Sequence, residues 1–164
     1  MATKQLWKTV WVTGAGRGIG ASLSRLLCQK GITVYGTARS AEQLSLLEQE
    51  LKKTAGRFIP VVLDIRHRAA VEEVFRGWDK EGVMPDLVVL NAGTHDPFSA
   101  EQFSAQRCKE LFDINLQGTI NCLEPVLYRY LNRGVNVSDS SHFSSESGAD
   151  SEAVSVSKLN VKGQ

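Results

Sequence analysis

Apolar residues along the first 134 positions follow two different spacings, and each spacing predicts one kind of element. Runs rich in β-branched residues at 7–13, 32–37, 58–63 and 87–90 indicate strands. Between these runs, apolar residues recur every three or four positions, as on one face of a helix. These residues are Ile19, Leu23, Leu26 and Leu27, then Leu44, Leu47 and Leu51, then Val71, Val74, Phe75 and Trp78. Alternating strands and helices with short connections predict an α/β fold with a parallel sheet.

Residues at the segment ends support these boundaries. Gly31 follows the first helical segment, at the place of a helix C-cap. Ser40 opens the second, and Gln43 follows it at the spacing of a capping box. The run 87–90 is wholly apolar, which is typical of a strand buried on both faces of a parallel sheet. After it we expect one long helix from about 105 to 131, with apolar positions at Leu111, Ile114, Leu123 and Leu127.

The composition changes at Val135. Residues 135–164 contain nine serines, whereas the 134 residues before them contain six. Only 135–138 (VNVS) has the pattern of a strand, and so polar a stretch buries too little apolar surface to order itself. We therefore predict a domain over 1–138 with a doubly wound parallel sheet of about five strands, truncated on its C-terminal side. Residues 139–164 are expected to form a loosely ordered, serine-rich tail.

Charge and composition exclude several classes of function. A net charge of +1 gives no basic field for nucleic acid or an anionic membrane, and no apolar run is long enough to span a bilayer. The opening MATKQ leads almost directly into a strand pattern, so we expect no signal peptide. Cysteines and histidines lack metal-ligand spacing, so we expect no metal. The scattered cysteines indicate reduced thiols in the cytoplasm; they are Cys28, Cys108 and Cys122.

A glycine-rich loop, TGAGRGIG at 13–20, joins the first strand to the first helix. Glycines here permit a tight turn with positive φ and close approach of the backbone to a pyrophosphate, which the free N–H groups of the helix start can hold. The Lys and Ser/Thr of a P-loop are absent. The loop therefore predicts a dinucleotide site in a Rossmann-type fold, with contacts from Thr13, Gly14, Gly16, Arg17, Gly18, Ile19 and Gly20.

The form Thr-Gly-x-x-x-Gly-Ile-Gly resembles the cofactor motif of the classical short-chain dehydrogenase/reductase family. Asp64, followed by Ile65, ends the third strand, where the family's Asp lies beside the adenine ring. Asn91, Ala92 and Gly93 match the family's Asn-Ala-Gly motif near the ribose, and Asn115 resembles the helical Asn that helps to hold a proton-relay water. The resemblance covers about 6–134 and implies hydride transfer between a nicotinamide cofactor and an alcohol or carbonyl.

Charge at the end of the second strand indicates which cofactor is used. An NAD site places a carboxylate there to bind the ribose hydroxyls. The stretch 34–40 has no carboxylate, whereas Arg39 and Arg17 could flank a 2′-phosphate. The sequence favours NADP, with NAD as the alternative.

The C-terminal region lacks the family's proton donor. The family uses a tyrosine, a lysine four residues later that lowers the tyrosine's pKa, and a serine that orients the carbonyl. Lys158 fits the lysine, but Val154 stands at the tyrosine position, and Ser141 lies about where the serine belongs. No Tyr-x-x-x-Lys occurs, because the three tyrosines are followed at that spacing by Arg39, Asn132 and Gly134.

We therefore predict an NADP(H)-dependent oxidoreductase of this family with a truncated or frame-altered C-terminal part and impaired catalysis. Asn115, Ser141 and Lys158 are catalytic by position, and the substrate is a small alcohol or carbonyl compound. The resemblance also implies a homo-oligomer, with an incomplete interface here. Two alternatives stay open: a non-catalytic dinucleotide-binding sensor or partner subunit, and a short enzyme that uses another acid, such as His142 or a hydroxyl near Ser155.

Overall fold

The computed structural model describes residues 7–132. A 3₁₀ turn (Ala100–Gln102) precedes the fourth helix, and a π-helical segment (Asp113–Gly118) connects the fourth helix to the fifth without a break. The strands and helices, in chain order, are β1 (Thr9–Thr13), α1 (Gly18–Gln29), β2 (Thr33–Ala38), α2 (Ala41–Leu51), β3 (Arg57–Val62), α3 (Arg68–Glu81), β4 (Leu87–Val89), α4 (Ala105–Phe112) and α5 (Thr119–Asn132).

The four strands form one parallel sheet in the order β3-β2-β1-β4. β1 lies between β2 and β4, with Val10 opposite Val34 on one side and opposite Leu87 on the other. The chain winds outward from β1 to β3 and then returns to the other side of β1, so the winding direction reverses at the carboxyl end of β1. Ligands of open α/β sheets bind at such a reversal. The predicted α/β, doubly wound architecture is confirmed; the fifth strand predicted at 135–138 and the predicted tail lie outside the described residues.

Side chains of β1 alternate between two cores, one on each face of the sheet. Val10 and Val12 are fully buried in the cluster that includes the apolar face of α2. Trp11 points to the opposite face, where its ring meets those of Phe75 and Trp78 edge-on at 5.2 and 5.4 Å between centroids. Its indole N–H donates to the Thr37 hydroxyl at 2.8 Å. The buried polar atom is therefore satisfied, and the indole anchors β1 to β2.

Helix α1 buries only part of the predicted apolar stripe: Leu27 is buried and Leu23 is half-buried against the core. Ile19 and Leu26 belong to the predicted apolar stripe, yet they are 42% and 49% exposed. Ser24 is fully buried instead, and its hydroxyl donates to the Gly20 carbonyl at 2.8 Å. Small residues face the sheet, so α1 packs closely over β1 and β2. The predicted end of the helix is confirmed, because Gly31 has a φ of 84° just beyond it.

The long helix predicted from about 105 to 131 is present as one continuous helical stretch, with the π-helical segment in its middle. Its apolar positions are only half-buried, and the core takes Cys122, Val126 and Tyr130 of α5. The buried Asn121 amide donates to the carbonyls of Ile65 and Arg66, so α5 is fixed to the loop after β3. In the described part of the chain, no helix has the length and apolar character to span a bilayer.

Candidate functional site

A cleft of about 810 Å³ lies at the carboxyl ends of the four strands, where the winding reverses. One end of the cleft, here called the cation end, is formed by Arg17, Arg39, Ser40 and Gln43. The other, here called the amide end, is formed by Thr94, His95, Ile114 and Asn115. Between the two ends the cleft is lined by Gly14, Gly16, Gly18, Ile19, Thr37, Ala38, Leu63, Asp64, Ile65, Asn91, Ala92 and Gly93.

The turn after β1 packs directly against its neighbours, which explains why it needs glycine. Gly14 has a φ of 71°, and a Cβ there would lie 2.8 Å from the Cα of Ala92. A Cβ on Gly20 would lie 2.2 Å from the Gly14 carbonyl oxygen. Both distances are too short for any real side chain. The absence of side chains therefore lets α1 begin directly above β1.

The first turn of α1 is open to an anion. Arg17 is the N-cap residue, and its side chain makes no capping bond; the first turn has no acidic residue. The leading N–H groups of a helix have no partners within it, and they carry partial positive charge. By contrast, α2 is capped, because the Ser40 hydroxyl accepts from the Gln43 N–H at 3.2 Å. The start of α1 thus fits a phosphate group.

Two arginines give the cation end its charge. Arg17 and Arg39 are both exposed, and neither forms an ion pair with another described residue. They reach the cleft from the start of α1 and from the loop after β2. The residues at 37–40 include no carboxylate. The cation end can therefore hold a second anionic group besides the one at the start of α1.

Asp64 lies in the middle of the cleft, and its neighbour Arg66 occupies its carboxylate. The Arg66 Nε lies 3.0 Å from both Asp64 oxygens, its Nη2 lies 2.5 Å from Oδ2, and its backbone N–H donates to Oδ1. These hydrogen bonds hold the pKa of Asp64 below its usual range. Asp64 is thus an ionised acceptor, and any ligand that uses it shares it with Arg66.

Asn91 and Thr13 hold the turn after β1 against the end of β4. The Asn91 side-chain amide donates to the carbonyls of Thr13 and Gly14 at 3.1 and 3.4 Å. The Thr13 hydroxyl accepts from the Ala92 N–H at 3.0 Å. These bonds join segments nearly 80 residues apart in sequence. They fix the floor of the cleft where the two strands end.

Asn115 holds the loop that forms the amide end. Its Oδ1 accepts from the Thr94 N–H at 2.8 Å, and its Nδ2 donates to the Thr94 carbonyl at 2.8 Å. Asn115 lies in the π-helical segment, and the Thr119 hydroxyl donates to its carbonyl at 3.0 Å. In this structure the Asn115 amide therefore positions the backbone around Thr94. π-Helical turns often occur at functional sites.

Most of the predicted site residues lie together in the cleft. Thr13 and Gly20 are buried beneath its surface, where they shape it, while Ser141 and Lys158 lie outside the described residues. The sequence patterns do not indicate Thr94 and His95 as site residues, although both directly follow the 91–93 motif that marks the end of β4. The same patterns indicate only a helix start at Ser40 and Gln43, whereas both also line the cleft. The other lining residues that the patterns do not indicate are Thr37, Ala38, Leu63 and Ile114.

Comparison with known proteins identifies the family. The family model described as short chain dehydrogenase matches residues 8–163. The chain belongs to the short-chain dehydrogenase family. The match includes the serine-rich segment, and so it reaches further than the predicted resemblance over 6–134. The glycine turn after β1 and the uncapped start of α1 thus lie in a chain of that family.

Several short-chain dehydrogenase relatives are similar in sequence over part of their length. The NADPH-dependent pterin aldehyde reductase of Arabidopsis thaliana is 33% identical over 117 residues, which are 71% of this chain and 48% of that protein. The L-fucose dehydrogenase of Bos taurus is 34% identical over 120 residues, or 73% and 43%. The chain spans about half the length of the curated relatives it matches.

Solved structures of the family have the same fold. A variant of actinorhodin polyketide ketoreductase with NADPH superposes with a TM-score of 0.72 at 27% identity, covering 84% of this chain and 53% of that one. Serine dehydrogenase from Escherichia coli gives a TM-score of 0.67 at 30% identity, with 80% and 62% covered. Both support the Rossmann-type architecture described above.

Proposed function

We propose that the chain binds NADP(H) in this cleft and forms the cofactor half of an oxidoreductase acting on an alcohol or carbonyl compound. The observation that carries the proposal is the cation end, where Arg17 and Arg39 line the cleft and no carboxylate lies between 37 and 40. A 2′-phosphate is bound by cationic donors, whereas the ribose of NAD is usually bound by an acidic residue at that place. The NADPH-dependent reductase of Arabidopsis thaliana supports the same choice.

The cleft residues suggest how the cofactor lies. Arg17 and Arg39 would hold the 2′-phosphate, and the N–H groups at the start of α1 would hold the pyrophosphate. Asp64 and Ile65 would contact the adenine in the middle of the cleft. The opposite end of the dinucleotide would then reach the amide end. When bound, the nicotinamide ring supplies or accepts a hydride.

We propose further that the chain binds its cofactor without efficient turnover. Val154 has no ionisable group and stands four residues before Lys158, where the family has its tyrosine. The unmodified chain should therefore bind NADPH saturably and oxidise it only at the background rate when aldehydes and ketones are added. The measurement is NADPH absorbance over time with each carbonyl compound. Oxidation that depends on the carbonyl and saturates with it would contradict this part of the proposal.

Substitution of Arg39 tests the cofactor choice. We expect Arg39→Ala to weaken NADPH binding about 10- to 100-fold, because a charge-assisted hydrogen bond to the phosphate is lost. NADH lacks that phosphate, so its affinity should change less than about twofold. Arg76→Ala is a matched control, since Arg76 lies on α3 and pairs there with Glu73. Dissociation constants are measured by calorimetry for both cofactors.

Two results would overturn the cofactor choice. One is an unmodified chain that binds NADH more tightly than NADPH. The other is an Arg39→Ala variant that loses affinity for both cofactors equally, which would place Arg39 away from the 2′-phosphate.

The cysteines support a reducing compartment for the protein. Cys28 and Cys122 are buried, Cys108 is half-buried, and all three are free. Burial raises the pKa of the Cys28 thiol to about 11 and that of Cys122 to about 12, so both stay protonated. We propose a cytoplasmic location on this basis.

A further inference from the structure

The cleft contains a carboxylate that would oppose the binding of a phosphate. Among the described residues that line the cleft, Asp64 is the only acidic one. Its side chain is ionised, because the hydrogen bonds from Arg66 hold its pKa below the usual range. An ionised carboxylate repels a nearby phosphate, and it also competes with the phosphate for arginine side chains. A cleft that binds NADP(H) therefore has to neutralise Asp64.

Arg39 lies near Asp64, so it is the arginine for which the carboxylate would compete. The ends of β2 and β3 are paired, and the Leu63 N–H donates to the Ala38 carbonyl at 3.0 Å. Arg39 directly follows Ala38, and Asp64 directly follows Leu63, on neighbouring strands that lie about 4.8 Å apart. The hydrogen bonds from Arg66 lower the pKa of Asp64 most, and the charge of Arg39 adds to that effect. The ion pairs within residues 7–132 nevertheless include none between Arg39 and Asp64.

Arg66 occupies both oxygens of the Asp64 carboxylate. Its Nε lies 3.0 Å from each oxygen, its Nη2 lies 2.5 Å from Oδ2, and its backbone N–H donates to Oδ1 at 3.0 Å. The backbone of this turn is itself fixed, because the His67 N–H donates to the Asp64 carbonyl and the Asn121 amide donates to the Arg66 carbonyl. Arg66 is not among the residues that line the cleft, so it pairs with Asp64 without taking the place of a ligand.

We propose that Arg66 determines cofactor specificity by keeping the Asp64 carboxylate away from Arg39, which leaves the Arg39 guanidinium available for a 2′-phosphate. Arg66 is thus a positioning residue, since it acts through Asp64 and Arg39 and does not touch the cofactor. The inference rests on the proposed function, because the pair affects specificity only if a 2′-phosphate lies at the cation end.

Removal of Arg66 should therefore lower the preference for NADPH. In Arg66→Ala, the Asp64 carboxylate is free to pair with Arg39 and to repel the phosphate. The ratio of the NADPH and NADH dissociation constants should rise about fivefold, which is the scale of one exposed ion pair. Contacts with the adenine are common to the two cofactors, so a change in those contacts cancels in the ratio.

The same substitution in an Asp64→Asn chain separates an indirect role of Arg66 from a direct one. With a neutral amide at position 64, no carboxylate of the cleft competes for Arg39. Arg66→Ala should then change the ratio less than about twofold. A guanidinium that contacted the phosphate directly would instead give the same rise in the ratio whether residue 64 is Asp or Asn.

Calorimetry on the full chain measures both dissociation constants for the unmodified chain, Arg66→Ala, Asp64→Asn and the double variant. Arg68→Ala is the matched control. Arg68 is an exposed arginine two residues further along, it pairs with Glu72 and Glu124, and it does not line the cleft. Its removal takes away the same charge from the same region, so the ratio should stay within about twofold of the unmodified value.

The outcomes separate this inference from the proposed function. If the unmodified chain prefers NADPH but Arg66→Ala leaves the ratio unchanged, or raises it equally with Asp and with Asn at position 64, the inference about Arg66 is overturned while NADP(H) binding stands. A similar rise in Arg68→Ala would also overturn it. If the unmodified chain binds neither cofactor, the proposed function fails and the inference fails with it.

Discussion

The two ends of the cleft consist of different chemical groups. The cation end carries two exposed arginines, Arg17 and Arg39, and it lies beside the glycine turn and the uncapped start of α1; all of these come from a short stretch of chain around β1 and β2. At the amide end a side chain holds the backbone, because the Asn115 amide bonds both the N–H and the carbonyl of Thr94. Asn91 and Thr13 connect the two ends through the floor of the cleft.

The two ends therefore differ in what their residues do: those at the cation end offer charge to a ligand, and Asn115 at the amide end positions a loop. At the cation end, exposed positive charge and open N–H groups fit an anion. At the amide end, the shape of the cleft depends on a loop that is held by Asn115, 21 positions after Thr94. Substitutions at the cation end should therefore weaken phosphate binding. Substitutions at the amide end should loosen the loop around Thr94 and, under the proposed function, change how the nicotinamide ring is held.

The largest loss of stability is expected at Gly20, where the backbone of α1 packs on the backbone of the turn after β1. Gly20→Ala should lower the free energy of unfolding by about 3 kcal/mol, because its Cβ would lie 2.2 Å from the Gly14 carbonyl oxygen. Binding of NADPH should weaken with it. Gly77→Ala is the control: Gly77 is also helical, a Cβ there has open space, and alanine should raise stability by up to about 1 kcal/mol. Urea unfolding of both variants measures the difference, and equal midpoints would contradict the close packing of α1 on β1.

A smaller loss of stability is expected at the amide end. Asn115→Ala leaves the Thr94 N–H and carbonyl without partners and should lower the free energy of unfolding by about 1 to 2 kcal/mol. Amide hydrogen exchange at Thr94 should speed up about tenfold. NADPH affinity should fall less than in Arg39→Ala, because no phosphate contact is lost. Asn132→Ala, at the exposed end of α5, is the control. Unchanged exchange at Thr94 would show that Asn115 does not hold the loop.

The smallest change in stability is expected at Asp64, which lies between the two ends of the cleft. Because Arg66 lowers the pKa of Asp64 in the folded chain, the pair stabilises the fold above the unfolded value of about 3.9. That contribution, at most about 1 kcal/mol for a partly exposed pair, is lost as pH falls below about 4. Arg66→Ala should reduce the loss of stability between pH 6 and 3 relative to the unmodified chain. An identical pH profile of unfolding in the variant would show that the pair contributes nothing.

The sequence was sufficient for features carried by local patterns. The strands, the glycine turn and Arg39 all lie in short segments whose residue types imply their geometry. Burial of Ser24 in place of Leu26 could not be predicted, since it depends on how closely α1 packs on the sheet. The hydrogen bonds between Asn115 and Thr94 also could not be predicted from the sequence, because they depend on the tertiary fold. The π-helical segment adds one residue to a turn and leaves no periodic signal in the sequence.

A crystal structure of the chain saturated with NADPH would show directly whether the cofactor lies in this cleft. We expect the 2′-phosphate between Arg17 and Arg39, the pyrophosphate at the start of α1, and the nicotinamide beside Thr94, His95 and Asn115. A cofactor bound in the reverse direction, or bound outside this cleft, would contradict this expectation.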